Sequence, residues 1–374
     1  MSLIKRETLK NFYAFLFGCI IAFLILELFL RFYNPFGFRV KGDKIVLYPY
    51  KKYKIHNLNG QDIIHTKNSL GFRGKEPSAK FDENITIIAI GGSTTEGYYL
   101  NDGKTWPEVL GKNLSEKIKN VWINNAGLDG QSTYGHLVLL EDYILKIKPK
   151  IAVFYCGLND LGLSAMNRYD NDMATLVSSN KFKYILNVLA KNSETISAII
   201  NMVNYFKTKN INLMHRNKEY ETEDKKIISA AELDKILKNE KENILNYKIR
   251  LEKIIKLCRE NNIEPVFITQ AILCGDFKDV KTGKYLGYIP IKNKFINYTG
   301  HSKTLKLYND EMIKVAKENN VFLIDAAALM PHSSEYYYDC VHFNETGAKY
   351  FAQMIYYKFL SFIKNKYNNY IQWK

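Results

Sequence analysis

The stretch that most constrains this chain runs from Ile85 to Gly97, Ile-Thr-Ile-Ile-Ala-Ile-Gly-Gly-Ser-Thr-Thr-Glu-Gly. Its first six residues are apolar or β-branched and leave no polar face. They therefore read as a strand covered on both sides, as in a parallel sheet packed between helices. Gly91 and Gly92 then allow a sharp turn, and Ser93 follows at once. A hydroxyl at the tip of a strand-to-helix turn stands clear of the sheet among backbone N–H groups. That place suits a nucleophile, a phosphate cradle, or simply a turn capped by Ser and Thr. A nucleotide-binding loop would close in Gly-Lys-Ser/Thr, and this one does not.

Strand and helix patterns alternate downstream. Trp106, Val109, Leu110, Leu114 and Ile118 share a helical face, and Val121 to Asn124 reads as a strand running into Ala126-Gly127-Leu128-Asp129-Gly130-Gln131-Ser132. Leu137, Leu140, Ile144 and Ile147 mark the next helix, and Ile151 to Tyr155 the next strand, followed by Gly157-Leu158-Asn159-Asp160. A helix through Ile244, Tyr247, Leu251, Ile254, Ile255 and Cys258 precedes strands at Ile263 to Thr269 and Val321 to Ile324, and an apolar-striped helix closes the pattern over Glu345 to Ile363. The alternation predicts an α/β fold, a doubly wound, mostly parallel five-stranded sheet flanked by helices, with ligands beyond the carboxyl ends of the strands. Between Leu161 and Leu233 the pattern breaks for a helical insertion. Its stripes, Phe182, Ile185, Val188 and Leu189, then Ile196, Ile199, Ile200, Val203 and Phe206, suit core packing, a cap over the site, or a surface resting on a membrane.

Asn11 to Leu30 holds twenty residues, nearly all Phe, Leu, Ile or Ala, after Lys5, Arg6 and Lys10. As a helix they span about 30 Å, enough to cross a bilayer. No small-x-small cleavage site follows in Arg31-Phe32-Tyr33-Asn34-Pro35, and the run continues past Cys19, so an uncut anchor is expected over residues 1–31. Basic residues flank both ends and leave the orientation open. A lead-in segment, 32–84, follows, in which Asn68 to Gly74 reads as an ordered surface turn; the α/β domain is expected over 85–374. The net charge of +15 favours anionic surfaces, yet the basic residues are dispersed and no nucleic-acid motif accompanies them. The five cysteines have no paired spacing, so neither a disulfide framework nor a zinc site is expected, and most read as small buried hydrophobes. No cofactor, metal or obligate protein partner is implied.

Near the C-terminus stands Tyr338-Asp339-Cys340-Val341-His342-Phe343-Asn344. An Asp and a His three apart in one turn can face each other, the carboxylate fixing the imidazole tautomer while the other nitrogen meets a hydroxyl. A Ser turn, a Gly turn, a Gly-x-Asn-Asp turn and an Asp-x-x-His turn thus occur in order. Together they resemble the blocks of the SGNH hydrolases, the GDSL esterase and lipase superfamily, over about Ile85 to Ile363 outside the insertion. That resemblance implies Ser93 as nucleophile, His342 as general base and Asp339 as its orienting acid. It also implies an oxyanion hole from the N–H of Ser93, the N–H of Gly130 and the Asn159 amide, Gly130 rather than Gly127 occupying the family's position. Trp106-Pro107 and Thr269-Gln270 are similar to features of membrane-tethered relatives. The name-giving Gly-Asp-Ser-Leu is here Gly91-Gly92-Ser93-Thr94, which leaves the triad intact and blurs the subfamily.

The expected function is therefore a membrane-anchored serine ester hydrolase, acting outside the cytoplasm to remove short acyl groups such as acetyl from an envelope or surface glycan. Two alternatives share the residues: an O-acyltransferase passing the acyl-serine to a sugar hydroxyl, and a non-catalytic scaffold or glycan-binding module. Tyr336-Tyr337-Tyr338 beside Asp339 suits either sugar stacking or packing of the loop.

Overall fold

The computed structural model describes residues 2–42, 44–162, 181–211, 229–291 and 294–371. These fall into two compact units, Met1–Val46 with Asp172–Met214, and Leu47–Asn171 with His215–Lys374.

The larger unit is built on strands β1 (Arg73–Gly74), β2 (Ile85–Gly91), β3 (Val121–Asn125), β4 (Ile151–Cys156), β5 (Glu264–Thr269) and β6 (Phe322–Ile324), in the order β6-β5-β4-β2-β3-β1. Strands β2 to β6 run parallel, with Ile85 opposite Val121, Ile87 opposite Ile151 and Val153 opposite Val266. Every residue of β2 and β4 is buried, because helices cover both faces. Ile85, Ile87 and Ala89 join one core layer with Trp106, Leu110 and Phe351 from helices Trp106–Ser115 and Glu345–Tyr367. The alternate residues Ile88 and Ile90, also fully buried, serve the opposite face. The chain leaves β2 for β3 on one side and then places β4 on the other. The strand order therefore reverses at β2, and in open α/β sheets the crevice at such a reversal is where ligands bind.

The sixth strand is a departure from the five expected. The lead-in contributes β1, antiparallel to β3 through Arg73 opposite Asn125. The preceding turn is likewise not on the surface. Asn68 Oδ1 accepts from the N–H groups of Leu70 and Phe72, and Phe72 and Arg73 are fully buried. The Arg73 guanidinium donates to the carbonyls of Glu96 at 2.8 Å, Gly97 at 3.1 Å and Leu100 at 2.8 Å. It thus closes off the backbone just beyond the Ser93 turn. The cysteine reading is also corrected. Cys274 and Cys340, 66 residues apart, form a disulfide, while Cys156 and Cys258 are buried and free. Spacing carries no sign of a pairing that arises only when the loop after β5 folds against the segment before the closing helix.

In the smaller unit, the N-terminal helix Ser2–Phe32 contains a stretch, Glu7–Phe32, with mean hydropathy 2.5, long and apolar enough to cross a membrane. Glu27, the acid within that run, accepts hydrogen bonds from Ser193 Oγ at 2.8 Å, Glu194 N at 3.1 Å and Thr195 N at 3.0 Å. It caps helix Glu194–Ile211, satisfying N–H groups that a helix start leaves open. Arg31 donates to the Asn192 carbonyl, which ends helix Lys181–Asn192. Ile185, Val188 and Leu189, and Ile199, Val203 and Phe206, stand exposed on these two helices rather than forming a core. The remainder of the expected 161–233 insertion falls partly outside the described residues.

Candidate active site

Strand β2 delivers Ser93 as the first residue of a one-turn helix, Ser93–Glu96. The two glycines before it are required by close approach. A Cβ on Gly91 would collide with Thr95 Oγ1 and lie 2.7 Å from the Tyr155 carbonyl; one on Gly92 would collide with Asn159 Nδ2 and lie 3.1 Å from the Gln131 carbonyl. Two bare backbones thus let the ends of β2 and β4 meet at the serine.

Asp339 and His342 come from the tip of a hairpin-like turn whose stem is the bridge between Tyr337 and Phe343. The structure brings both to Ser93. His342 Nε2 lies 2.8 Å from Ser93 Oγ, and His342 Nδ1 lies 2.7 Å from Asp339 Oδ2. With a neutral imidazole, Nδ1–H donates to the carboxylate and Nε2 accepts from the serine hydroxyl. Asp339 Oδ1 accepts from the N–H groups of Val341 at 2.9 Å and His342 at 2.8 Å. Burial alone would raise this carboxyl; the neighbouring imidazole and those hydrogen bonds outweigh it and hold the group below its ordinary range. Tyr338 stacks on the His342 ring, 5.4 Å between centroids and 8° between planes.

Asn159, in the turn after β4, places its amide against Gly92, and Nδ2 donates to the Gln131 carbonyl at 2.9 Å. Nδ2 carries two hydrogens, and that bond occupies one. Gly130 precedes Gln131 with φ +74°, a conformation that side chains disfavour. Gly127 lies deeper: its N–H donates to Asn125 Oδ1 at 2.9 Å, and its Cα packs on the Thr95–Glu96 backbone.

Three supporting residues had no role assigned from the sequence. Asp160, fully buried, accepts from Thr133 N and Thr133 Oγ1 and from Arg250 Nη2 at 3.1 Å. Arg250 Nε donates to Thr133 Oγ1 at 2.6 Å, and its guanidinium lies over the Tyr134 ring at 3.9 Å. Burial pushes the Asp160 carboxyl up and Arg250 opposes it. The cluster ties the turn after β3 to the turn that carries Asn159. A signal existed, since Arg250 stands three residues after Tyr247 and four before Ile254, on the apolar stripe of its helix. The third, Arg73, left none, because its partners are backbone carbonyls of Glu96 to Leu100 and the distant Asp102 carboxylate. Among the described residues, no group of three or more His, Cys, Asp or Glu side chains could hold a metal ion.

Trp106 packs in the core against Tyr155 and Phe351. Thr269 Oγ1 donates to Asp325, and Gln270 Oε1 accepts from Thr94 Oγ1 at 3.4 Å, one residue from Ser93. Tyr337 is buried and Tyr336 stacks on Tyr350, so two of the three consecutive tyrosines pack the loop.

Among solved structures, the chain is similar to the lipase/acylhydrolase from Enterococcus faecalis, at 15% identity and TM-score 0.40 over 74% of this chain and 96% of that one. It is also similar to an acetylxylan esterase from Geobacillus stearothermophilus, at 12% identity and TM-score 0.41 over 76% of this chain and 95% of that one. None of the curated proteins matches. Residues 89–350 match the GDSL-like Lipase/Acylhydrolase family. That match spans well over half of the sequence, from the end of β2 into the closing helix, and the chain accordingly belongs to this family, the SGNH superfamily of serine ester hydrolases.

Proposed function

We propose that Ser93, His342 and Asp339 are the catalytic triad of an esterase that removes short acyl groups, acetyl foremost, from a glycan of the cell envelope or surface. The observation that carries this reading is the unbroken relay Asp339 Oδ2 to His342 Nδ1 and His342 Nε2 to Ser93 Oγ, at 2.7 and 2.8 Å. A serine hydroxyl is a weak nucleophile until a base takes its proton. As Ser93 Oγ bonds to the ester carbon, His342 Nε2 accepts the proton, and Asp339 stabilises the imidazolium so formed. Negative charge collects on the carbonyl oxygen, and the N–H groups of Ser93 and Gly130 with the Asn159 amide are the donors assigned to it. The occupied N–H of Gly127 favours Gly130 for this role. His342 then protonates the leaving alcohol as its C–O bond breaks, and water repeats the sequence to free the acid.

Support for a short acyl group comes from the lining beside Ser93 and His342, where Leu100, Trp106, Tyr338, Phe343 and Ala348 close in and leave no preformed groove for a long acyl chain. Tyr99 packs edge-on against Tyr338, with centroids 5.3 Å apart, giving an aromatic ridge at the hydroxyl side that suits a sugar ring. The apolar N-terminal helix is assigned as the membrane anchor, with the catalytic unit outside the cytoplasm, where a disulfide persists. The test is kcat/KM for acetyl against octanoyl p-nitrophenyl esters, with fluorophosphonate labelling of the native chain and Ser93→Ala. Acetyl is expected to lead by about tenfold, a difference of about 1.4 kcal/mol at the transition state, and labelling to vanish in the variant. Labelling that survives Ser93→Ala sinks the triad; an octanoyl preference replaces the glycan by a lipid.

A further inference from the structure

We propose that the Cys274–Cys340 disulfide is a positioning element of the active site, clamping the tip that carries Asp339 and His342 onto the buried segment that follows β5. This rests on the triad reading above. Cys340 stands in the chain between Asp339 and His342, so whatever fixes its backbone fixes both side chains. The stem of the turn is held by the Tyr337–Phe343 bridge and by Tyr338 N donating to the His342 carbonyl at 3.0 Å. Bonds along a hairpin stem set its strand pairing, yet they leave the tip able to tilt relative to the serine, which sits on another element.

The sideways attachment is made at Cys340. Its carbonyl accepts from Leu273 N at 2.8 Å and Cys274 N at 3.3 Å, and its sulfur is bonded to Cys274. Leu273 and Cys274 follow β5 and belong to the main core, both fully buried. The disulfide therefore couples the triad tip to a core segment that continues from a strand of the sheet that presents Ser93. A displacement of about 1 Å at a reacting group is enough to lower turnover by about 10²-fold. Loosening the tip should therefore act on kcat before it acts on substrate binding.

The experiment compares the full chain in detergent with the Cys274→Ala/Cys340→Ala variant, well below the melting temperature of each. Expected are a fall of about tenfold in kcat on p-nitrophenyl acetate, a KM within about twofold, and a parallel fall in the fluorophosphonate labelling rate. A folded variant with native kcat overturns the proposal. Should the variant not fold, the native chain is reduced with dithiothreitol. Two electrons and two protons pass to the disulfide, two thiols form, and the reagent closes to its own cyclic disulfide. Activity should fall on reduction and return on reoxidation; activity that stays unchanged while the thiols appear overturns the proposal. The unfolded, unreduced chain should titrate three thiols, from Cys19, Cys156 and Cys258. A count of five without reductant also overturns it. Failure of the triad reading looks different: the oxidised Ser93→Ala protein would then still be labelled.

Discussion

In the proposed oxyanion role, Asn159 would be a side chain supported through one amide hydrogen while the other is left for the substrate. Its Nδ2 is fixed by the Gln131 carbonyl at 2.9 Å and pressed against Gly92, next to the backbone of Ser93. A donor aimed at an oxyanion matters little to a planar ester and a great deal once the carbonyl oxygen carries charge. Asn159→Ala is therefore expected to lower kcat by about 10² to 10³ with KM nearly unchanged, as steady-state kinetics on an activated acetyl ester would show. A rise in KM alone would make Asn159 a ground-state contact. Because the variant also loses the bond to Gln131, its melting temperature belongs in the same measurement.

At the scale of elements, the site depends on turns from three strands being held in register. Asp160, Thr133 and Arg250 do this from beneath, joining the turn after β3, the turn after β4 and helix Lys241–Glu260. Removing one partner of a buried ion pair leaves the other charge unpaired, which costs about 3–5 kcal/mol, whereas removing both charges costs less. Arg250→Met should therefore lose about that much stability in denaturant melts, and adding Asp160→Asn should recover a substantial part of it. Additive losses from the two substitutions would mean that the pair is not coupled. Arg73 has a comparable element-level role, since its three carbonyl partners span the chain from Glu96 to Leu100.

For the whole molecule, two buried histidines contribute to how stability depends on acidity. Burial drives His136 down to about 3; burial and the neighbouring Arg73 charge drive His65 down to about 4. Both stay neutral in the fold, while the unfolded chain protonates them near pH 6.5. The unfolded state thus binds more protons below pH 6.5, and the fold loses stability as pH falls. The loss is about 1.4 kcal/mol per pH unit for each histidine and continues down to about pH 4 for His65 and about pH 3 for His136. Denaturant melts between pH 7 and pH 5 should show this slope, flattened in the His65→Gln/His136→Gln variant. An identical slope in the variant would assign the acid sensitivity to other groups.

The sequence by itself determined what depends on neighbours along the chain. Apolar or β-branched runs such as Ile85 to Ile90, ended by a Gly-Gly turn, read as doubly covered strands, and periodic stripes such as Trp106, Leu110 and Leu114 read as helix faces. Glycine and polar turns marked where each strand ends, so the neighbourhood of Ser93, Gly130 and Asn159 was legible, as was the Asp339–His342 pair, whose members are three residues apart. The tertiary structure alone decided which distant pieces meet. The placement of β1 at the sheet edge, the burial of Arg73, the salt bridge from Arg250 to Asp160 and the pairing of Cys274 with Cys340 all join residues tens of positions apart. No local pattern encodes them, because a hydrogen bond or a disulfide needs its partner within a few ångströms. That proximity arises only when the crossovers of the sheet bring separate turns to one edge.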